Sequence, residues 1–531
     1  MKLLQQIFKH QRRKYSSTTK WQSVIGLEVH AQISSASKLF SGSSTEFASP
    51  VNTNVSLFDS AVPGTLPVLN KKCVEAGVMT ALALNCRVNP VSYFDRKHYF
   101  YADLPNCRVN PVSYFDRKHY FYADLPAGYQ ITQQRAPLAN DGLLRFHVHT
   151  PGTNIKPYVA EARIKQIQLE QDSGKSLHDD YQSLVDLNRA GAPLMELVFE
   201  PDLKNAEEAA SLIKELIIIL ERIQTCSCKM EEGALRVDAN VSVHKPDTPF
   251  GIRTEIKNIG SVRGVAGAIK YEIERQIKVL ESGGQIENET RAWDATTKTT
   301  LAMRDKEQKQ DYRYMPEPNL PPLHIAMGPV QQGCVNASEI RSKIPELPED
   351  TRNRLRESFG LVPEHAVILV NESKLQKLFE EVLALEMVNP KLLANILINE
   401  YLALIHAEKL VLEDVETPAS YMRDIVKLLT DGIISRNTAR LILEKIINGC
   451  KDSPIKIVDD GDWRQITDEN KLRQICQEVI DENPKATKQY LNGKTKVFKF
   501  FLGAVATKTN QRANMTFVNN ILEELLDKSK K

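Results

Sequence analysis

Much of the sequence between Trp21 and Leu323 alternates polar and apolar residues with a period of two, and this restricts the possible folds more than any other property of the chain. In SVIGLEVHAQI, Val24, Gly26, Glu28, His30 and Gln32 share one face, while Ile25, Leu27, Val29, Ala31 and Ile33 share the other. GALRVDANVSVH sets Arg236, Asp238 and Asn240 against Leu235, Val237 and Ala239. GIRTEIKNI gathers Arg253, Glu255 and Lys257 on one face, and IQLEQD does the same with Gln168, Glu170 and Asp172. Strands that are apolar on one side only belong to antiparallel sheets, with one face buried and the other open to polar chemistry. Two long helices interrupt them. One covers Asn205–Gln224; the other starts with Ser261 as N-cap and stops at Gly283-Gly284.

From about Val335 the apolar period lengthens to that of a helix. PELPED (Pro345–Asp350) opens this part, and YMRDIVKLL and RLILEKII follow. A length of 531 residues accommodates two or three domains. The expected fold is α+β: an antiparallel, sheet-rich domain over 21–335, an all-helical domain over 336–455 and a small helical tail domain over 456–531. Residues 1–20 read differently. Lys2, Lys9, Arg12, Arg13, Lys14 and Lys20 occur with no acidic residue before Glu28, and Leu3, Leu4, Ile7 and Phe8 recur at helical spacing. Such a basic, acid-free amphipathic leader points to a mitochondrial transit peptide.

The net charge of +2 gives no global basic field, so contact with nucleic acid needs a local patch. The tail offers one: Lys485, Lys488, Lys494, Lys496, Lys499, Lys508 and Arg512, interleaved with Tyr490, Phe498, Phe500 and Phe501. A solvated helix face has the same composition. Among eight cysteines only Cys226 and Cys228 are close in sequence, and they read as reduced, partly buried thiols. No apolar run approaches the roughly 20 residues of a membrane span. NCRVNPVSYFDRKHYFYADLP occurs at Asn85–Pro105 and again, unchanged, at Asn106–Pro126. Two copies do not make a solenoid, and identity without drift marks a recent duplication or a gene-assembly error.

Chemistry concentrates in residues 164–202, where Glu170, Asp172, Lys175, Asp186, Asn188 and Arg189 cluster around turns. Carboxylate oxygens suit Mg²⁺, and cations suit phosphoryl oxygens. Glu28 and His30, two apart on a strand, point the same way and form a second candidate metal or phosphate site; Asp238 adds a third polar face. Polar neighbours in an ordinary sheet give the same pattern, and paired carboxylates also fit a hydrolase. DRKHYFYADLP joins adjacent cations, Arg96 and Lys97 (Arg117 and Lys118 in the second copy), to aromatics that can stack on a base. There is no GxxxxGK[ST] loop and no GxSxG elbow, so an ATP site must be of another type.

These residues bring a resemblance. VIGLEVH, SLVDLNRAGAPLMELV, KMEEGALRVDANVSV, TEIKNIGSV, ETRAWD, DYRYMPEPNLPPL, PELPED and NGKTKVFKFFLG run in order along nearly the whole chain. They resemble the B subunits of the tRNA-dependent amidotransferases. The resemblance implies a catalytic sheet-rich domain, a helical domain and a tail that contacts tRNA. It implies that ATP phosphorylates the side-chain carboxylate of Glu-tRNA(Gln). Ammonia from an amidase-type glutaminase partner, in a heterotrimer completed by a small third protein, then gives Gln-tRNA(Gln). It places Mg²⁺ on Glu28, His30 and Glu170, and phosphoryl charge on Lys97 or Lys118 with Arg96 or Arg117. Asp172, Lys175, Asp186 and Arg189 would shape the pocket, with Asn188 and Asp238 towards the nucleotide. With the leader, it implies the mitochondrial matrix.

The chain departs from the family pattern at Gln171, where many relatives carry a second glutamate, and at NQRANM (Asn510–Met515), where KGKANP is usual. Two other readings compete: a non-catalytic tRNA-binding scaffold, and a free-standing kinase or hydrolase using the same carboxylates.

Overall fold

Residues that alternate in sequence alternate in burial. Along β1 (Gln22–Gln32), Ile25, Leu27, Val29 and Ala31 are fully buried, whereas Glu28, His30 and Gln32 lie on the half-exposed face. The computed structural model describes residues 21–101, 123–149, 156–178, 182–303, 310–328 and 334–528. The expected leader, Arg117 and Lys118 fall outside them. Two units emerge, Met1–Glu349 and Asp350–Lys531.

In the first unit α1 (Lys71–Ala83) follows β1. Then come β2 (Arg87–Val88), β3 (Val91–Ser92), β4 (Asp95–Tyr101), β5 (Gln130–Thr132), β6 (Ala139–Val148), β7 (Tyr158–Gln171), β8 (Lys175–His178), β9 (Ser183–Asp186) and β10 (Pro193–Phe199). Helix α2 (Ala206–Arg222) leads to β11 (Leu235–His244) and β12 (Thr254–Ile259), and α3 (Val262–Glu281) to β13 (Thr290–Asp294), β14 (Thr299–Ala302) and β15 (Gln310–Pro316). Nine strands form one sheet in the order β14-β13-β12-β11-β1-β10-β7-β6-β2, and β15-β4-β5 form a smaller one. Within these two sheets pairing is antiparallel as expected, except that β12 and β13 run parallel. A parallel pair needs a crossover longer than a hairpin, and α3 supplies it.

The three helices share the core of the apolar face with Leu27, Val29, Leu197, Val237 and Ala239. The two expected helices start as the sequence dictates. Asn205 Oδ1 accepts from the Glu208 amide at 2.8 Å, and Ser261 Oγ from the Gly264 amide at 3.0 Å. The C-cap of α3 is Ser282, with Gly283 following in the left-handed region at φ 82°. Helix α1 is a third, which the polar–apolar pattern does not reveal. Most of its residues are buried, and its charged residues Lys71, Lys72 and Glu75 sit only in the first turns, so no polar stripe runs its length. Gly77 lets it approach the sheet: a Cβ there would stand 2.6 Å from Leu138 Cδ2 and 3.1 Å from Leu169 Cδ2.

The smaller sheet lies over the polar face. Gln168 Nε2 donates to Thr132 Oγ1 at 3.1 Å, and the Ile131 amide to Gln171 Oε1 at 2.9 Å. Gln171 thus serves as a tie between β7 and β5. Strand β4 belongs to the first copy of the duplication, whereas Asp124, whose carbonyl accepts from the Gly174 amide at 2.9 Å, belongs to the second. The fold takes the start of its hairpin from one copy and the end from the other.

The second unit is helical. One core gathers around Phe379, Leu393, Tyr401, Met422 and Leu443; another, around Leu472, Phe501, Val518 and Leu522, holds the tail helices. No helix among the described residues is long and apolar enough to cross a membrane.

Candidate active site on the polar face of the sheet

Strand register builds the site. His30 on β1 stands opposite Glu196 on β10 and Arg236 on β11, and Glu196 stands opposite Gln168 on β7. Gln168, Glu196, His30 and Arg236 thus form one row across four strands, all on the polar face. Glu28 and Asp238 face each other in the next row, and Glu170 lies two residues along β7 from Gln168.

One ligand atom each from His30, Glu170 and Glu196 lie within 4.8 Å of one another. His30 Nε2 is 3.9 Å from Glu196 Oε1. Gln168 Nε2 donates to Glu196 Oε2 at 2.5 Å, and Gln130 Nε2 to Glu170 Oε1 at 2.8 Å. Glu170 Oε2 is buried without a hydrogen-bond partner. Burial, with the charges of Arg236, Lys97 and Lys257, drives the His30 pKa down to about 3, so its ring is neutral and keeps a lone pair. Burial, then the Glu170 charge, raises Glu196 to about 8. An orphaned carboxylate oxygen, a second carboxylate and a neutral imidazole fit a divalent cation such as Mg²⁺ or Mn²⁺.

Of the residues expected to hold the ion, His30 and Glu170 join this cluster. Glu28 stands one row away and accepts from Asn240 Nδ2 at 3.1 Å. Asp238 faces Lys257 Nζ at 3.6 Å, and burial lifts its pKa to about 6. Lys97 sits beside Gln130 in the β4–β5 register, and its charge reaches both His30 and Glu196. Arg96, next in sequence, points the other way. Its Nε and Nη2 bond Glu317 at 2.6 and 2.9 Å, and its guanidinium lies 4.2 Å from the Tyr129 ring centre.

The turn residues shape the rim. Asp172 accepts from Arg236 Nη2 at 2.6 Å and lies 3.6 Å from Arg189 Nε. Arg189 also donates to the carbonyls of Ser173 and Gly174 at 2.9 and 2.6 Å. Asp186 accepts from the amides of Asn52 and Asn188, and Asn188 holds the Asn54 amide and the Pro50 carbonyl. These two residues fasten the loop at 49–54. Lys175 is exposed on β8.

Sequence reasoning missed Glu196. Its signal is a single carboxylate in the otherwise apolar PLMELVF, and only register shows that it faces His30. The tail lysines Lys485, Lys488, Lys494, Lys496 and Lys499 are exposed or half-exposed, whereas Lys508 pairs with Glu478 and Glu482, and Arg512 with Asp462. Cys226 and Cys228 are buried free thiols.

The family model for the GatB/GatE catalytic domain matches residues 23–107 and 106–331, breaking inside the duplication, and the GatB domain model matches 377–526. The chain is 53% identical over 517 residues to the B subunit of the mitochondrial glutamyl-tRNA(Gln) amidotransferase of Aedes aegypti, covering 96% of this chain and 93% of that one. It is 44% identical to the human mitochondrial protein of the same name, covering 96% and 89%. It is 42% identical to the B subunit of the aspartyl/glutamyl-tRNA(Asn/Gln) amidotransferase of Rickettsia typhi, covering 96% and 99%. Similarity of this extent, in register from the central strands to the tail helices, establishes that the chain belongs to the GatB family of amidotransferase B subunits.

Proposed function

We propose that this chain activates the side-chain carboxylate of Glu-tRNA(Gln) with ATP and delivers the activated group to ammonia, giving Gln-tRNA(Gln) for mitochondrial translation. The observation that carries the proposal is the convergence of His30, Glu170 and Glu196 on the polar face of the large sheet, with Lys97 of the smaller sheet within electrostatic reach of Glu196. A carboxylate oxygen is a poor leaving group and phosphate a good one, so activation must precede amidation. A divalent cation, when bound, would screen the triphosphate and polarise the transferring phosphoryl group. His30, Glu170 and Glu196 would hold it, and Gln130 and Gln168 orient the two carboxylates. Lys97 would neutralise phosphoryl oxygens, and Asp238 would lie towards the nucleotide. Arg189 and Asn188 keep the rim in shape through backbone contacts.

Ammonia would come from an amidase-type glutaminase partner, with a small third protein completing a heterotrimer. The tail lysines, with Phe500 half-exposed among them, supply the basic surface a tRNA backbone needs. The basic leader and the names of the animal relatives favour the mitochondrial matrix.

The test is Gln-tRNA(Gln) formation by the assembled complex from Glu-tRNA(Gln), ATP, Mg²⁺ and glutamine. Product that disappears with Glu196→Gln is expected. Product unchanged by Glu196→Gln and His30→Ala would favour the scaffold, and ATP turnover without tRNA or partners the free-standing kinase.

A further inference from the structure

We infer that Arg236 binds a phosphoryl oxygen of the nucleotide, beyond its ion pair with Asp172; this rests on the ATP-dependent reading above. Arg236 stands opposite His30 in the same row as Glu196, so its guanidinium borders the cation cluster. Asp172, itself buried, grips Nη2 at 2.6 Å and fixes the aim of the fork. The grip does not consume the charge. Asp172 also lies 3.6 Å from Arg189, so this one carboxylate does not by itself neutralise both guanidiniums.

Arg236 Nε adds the second observation. It is buried and has no hydrogen-bond partner, although the side chain as a whole is 35% exposed. A donor withdrawn from water without an acceptor loses its hydration and regains nothing, which native interiors seldom tolerate. A phosphoryl oxygen supplies the acceptor it lacks. The planar fork of arginine matches two oxygens of one phosphoryl group, a geometry that lysine cannot offer. The charge of Arg236 is also felt at His30, which places it within electrostatic reach of anything bound at the cluster.

The experiment measures binding of a β,γ-methylene ATP analogue with Mn²⁺ to the assembled complex by calorimetry. Mn²⁺ affinity without nucleotide and melting temperature are read alongside. Arg236→Met should weaken analogue binding at least about tenfold, leaving Mn²⁺ affinity within about twofold, and Arg236→Lys should recover part of the loss. Arg236→Gln carries the same comparison if the methionine variant does not assemble. Analogue affinity unchanged in the neutral variant would overturn the inference and leave the ATP-dependent reading intact. Equal loss of Mn²⁺ affinity would make Arg236 a positioning residue for His30 and overturn it too. A rise confined to KM for Glu-tRNA(Gln), with analogue binding intact, would overturn it by assigning Arg236 to the substrate carboxylate instead. Failure of the unaltered complex to bind the analogue would remove the reading and the inference together.

Discussion

Glu196 sets the pH behaviour of the site. Burial raises its folded pKa to about 8, above that of an exposed glutamate. Between the ordinary carboxylate range and about 8, the folded chain therefore holds a proton that the unfolded chain has released, so metal-free stability falls as pH rises through that window. A cation bound at this cluster would have to displace this proton. Mn²⁺ affinity should accordingly rise by up to about tenfold per pH unit until about pH 8, as followed by electron paramagnetic resonance. A flat profile would remove Glu196 from the ligand set. Glu196→Gln should lower Mn²⁺ affinity at least about tenfold without lowering the metal-free melting temperature, because the amide resembles the protonated acid. Lys38 and Asp59 show a different use of burial. Their side chains are 0% and 1% exposed and meet at 3.1 Å, with Ser41 and Ser56 also bonding Asp59. Lys38→Met strands the carboxylate and should cost about 3–5 kcal/mol in denaturant unfolding, and Lys38→Met/Asp59→Leu much less. Glu28, His30, Glu170 and Asp238 were legible in sequence because each falls on the polar beat of an alternating strand. The position of Glu196 depends on which strands become neighbours, and residue spacing within a strand does not encode that.

At the scale of elements, local signals sufficed where local physics decides. Ser261 caps α3 as its sequence indicates, so Ser261→Ala should cost about 1 kcal/mol in thermal or denaturant unfolding, whereas Ser261→Asp should cost little. The alternation of β1 and β11 survives into the fold with its faces as read. Helix α1 was not legible, because most of it is buried and its charged residues, Lys71, Lys72 and Glu75, sit in its first turns rather than along a stripe. Nor was the parallel pairing of β12 with β13, which depends on where the chain lands after α3.

At the scale of the whole molecule, the α+β architecture follows from the change of period near Val335. The duplication cuts across that architecture. Strand β4 comes from the first copy, Ala123–Pro126 close the second, and removing residues 102–122 restores a single copy of the repeat. That deletion should leave transamidation by the complex at or above the level of the full chain and should not lower the melting temperature, since long insertions add little closure entropy. Loss of product on deletion would give the second copy a function of its own.

The centre of the large sheet has a consequence for how the protein is made. Strand β1 ends at Gln32, but its neighbours β10 and β11 begin only at Pro193 and Leu235. A polypeptide that emerges amino end first must therefore keep its central strand unpaired until most of the first unit has been synthesised or has crossed a membrane. Such long-range closure makes folding slow and exposes strand edges to aggregation, so this chain should depend heavily on chaperones that shield its first segment.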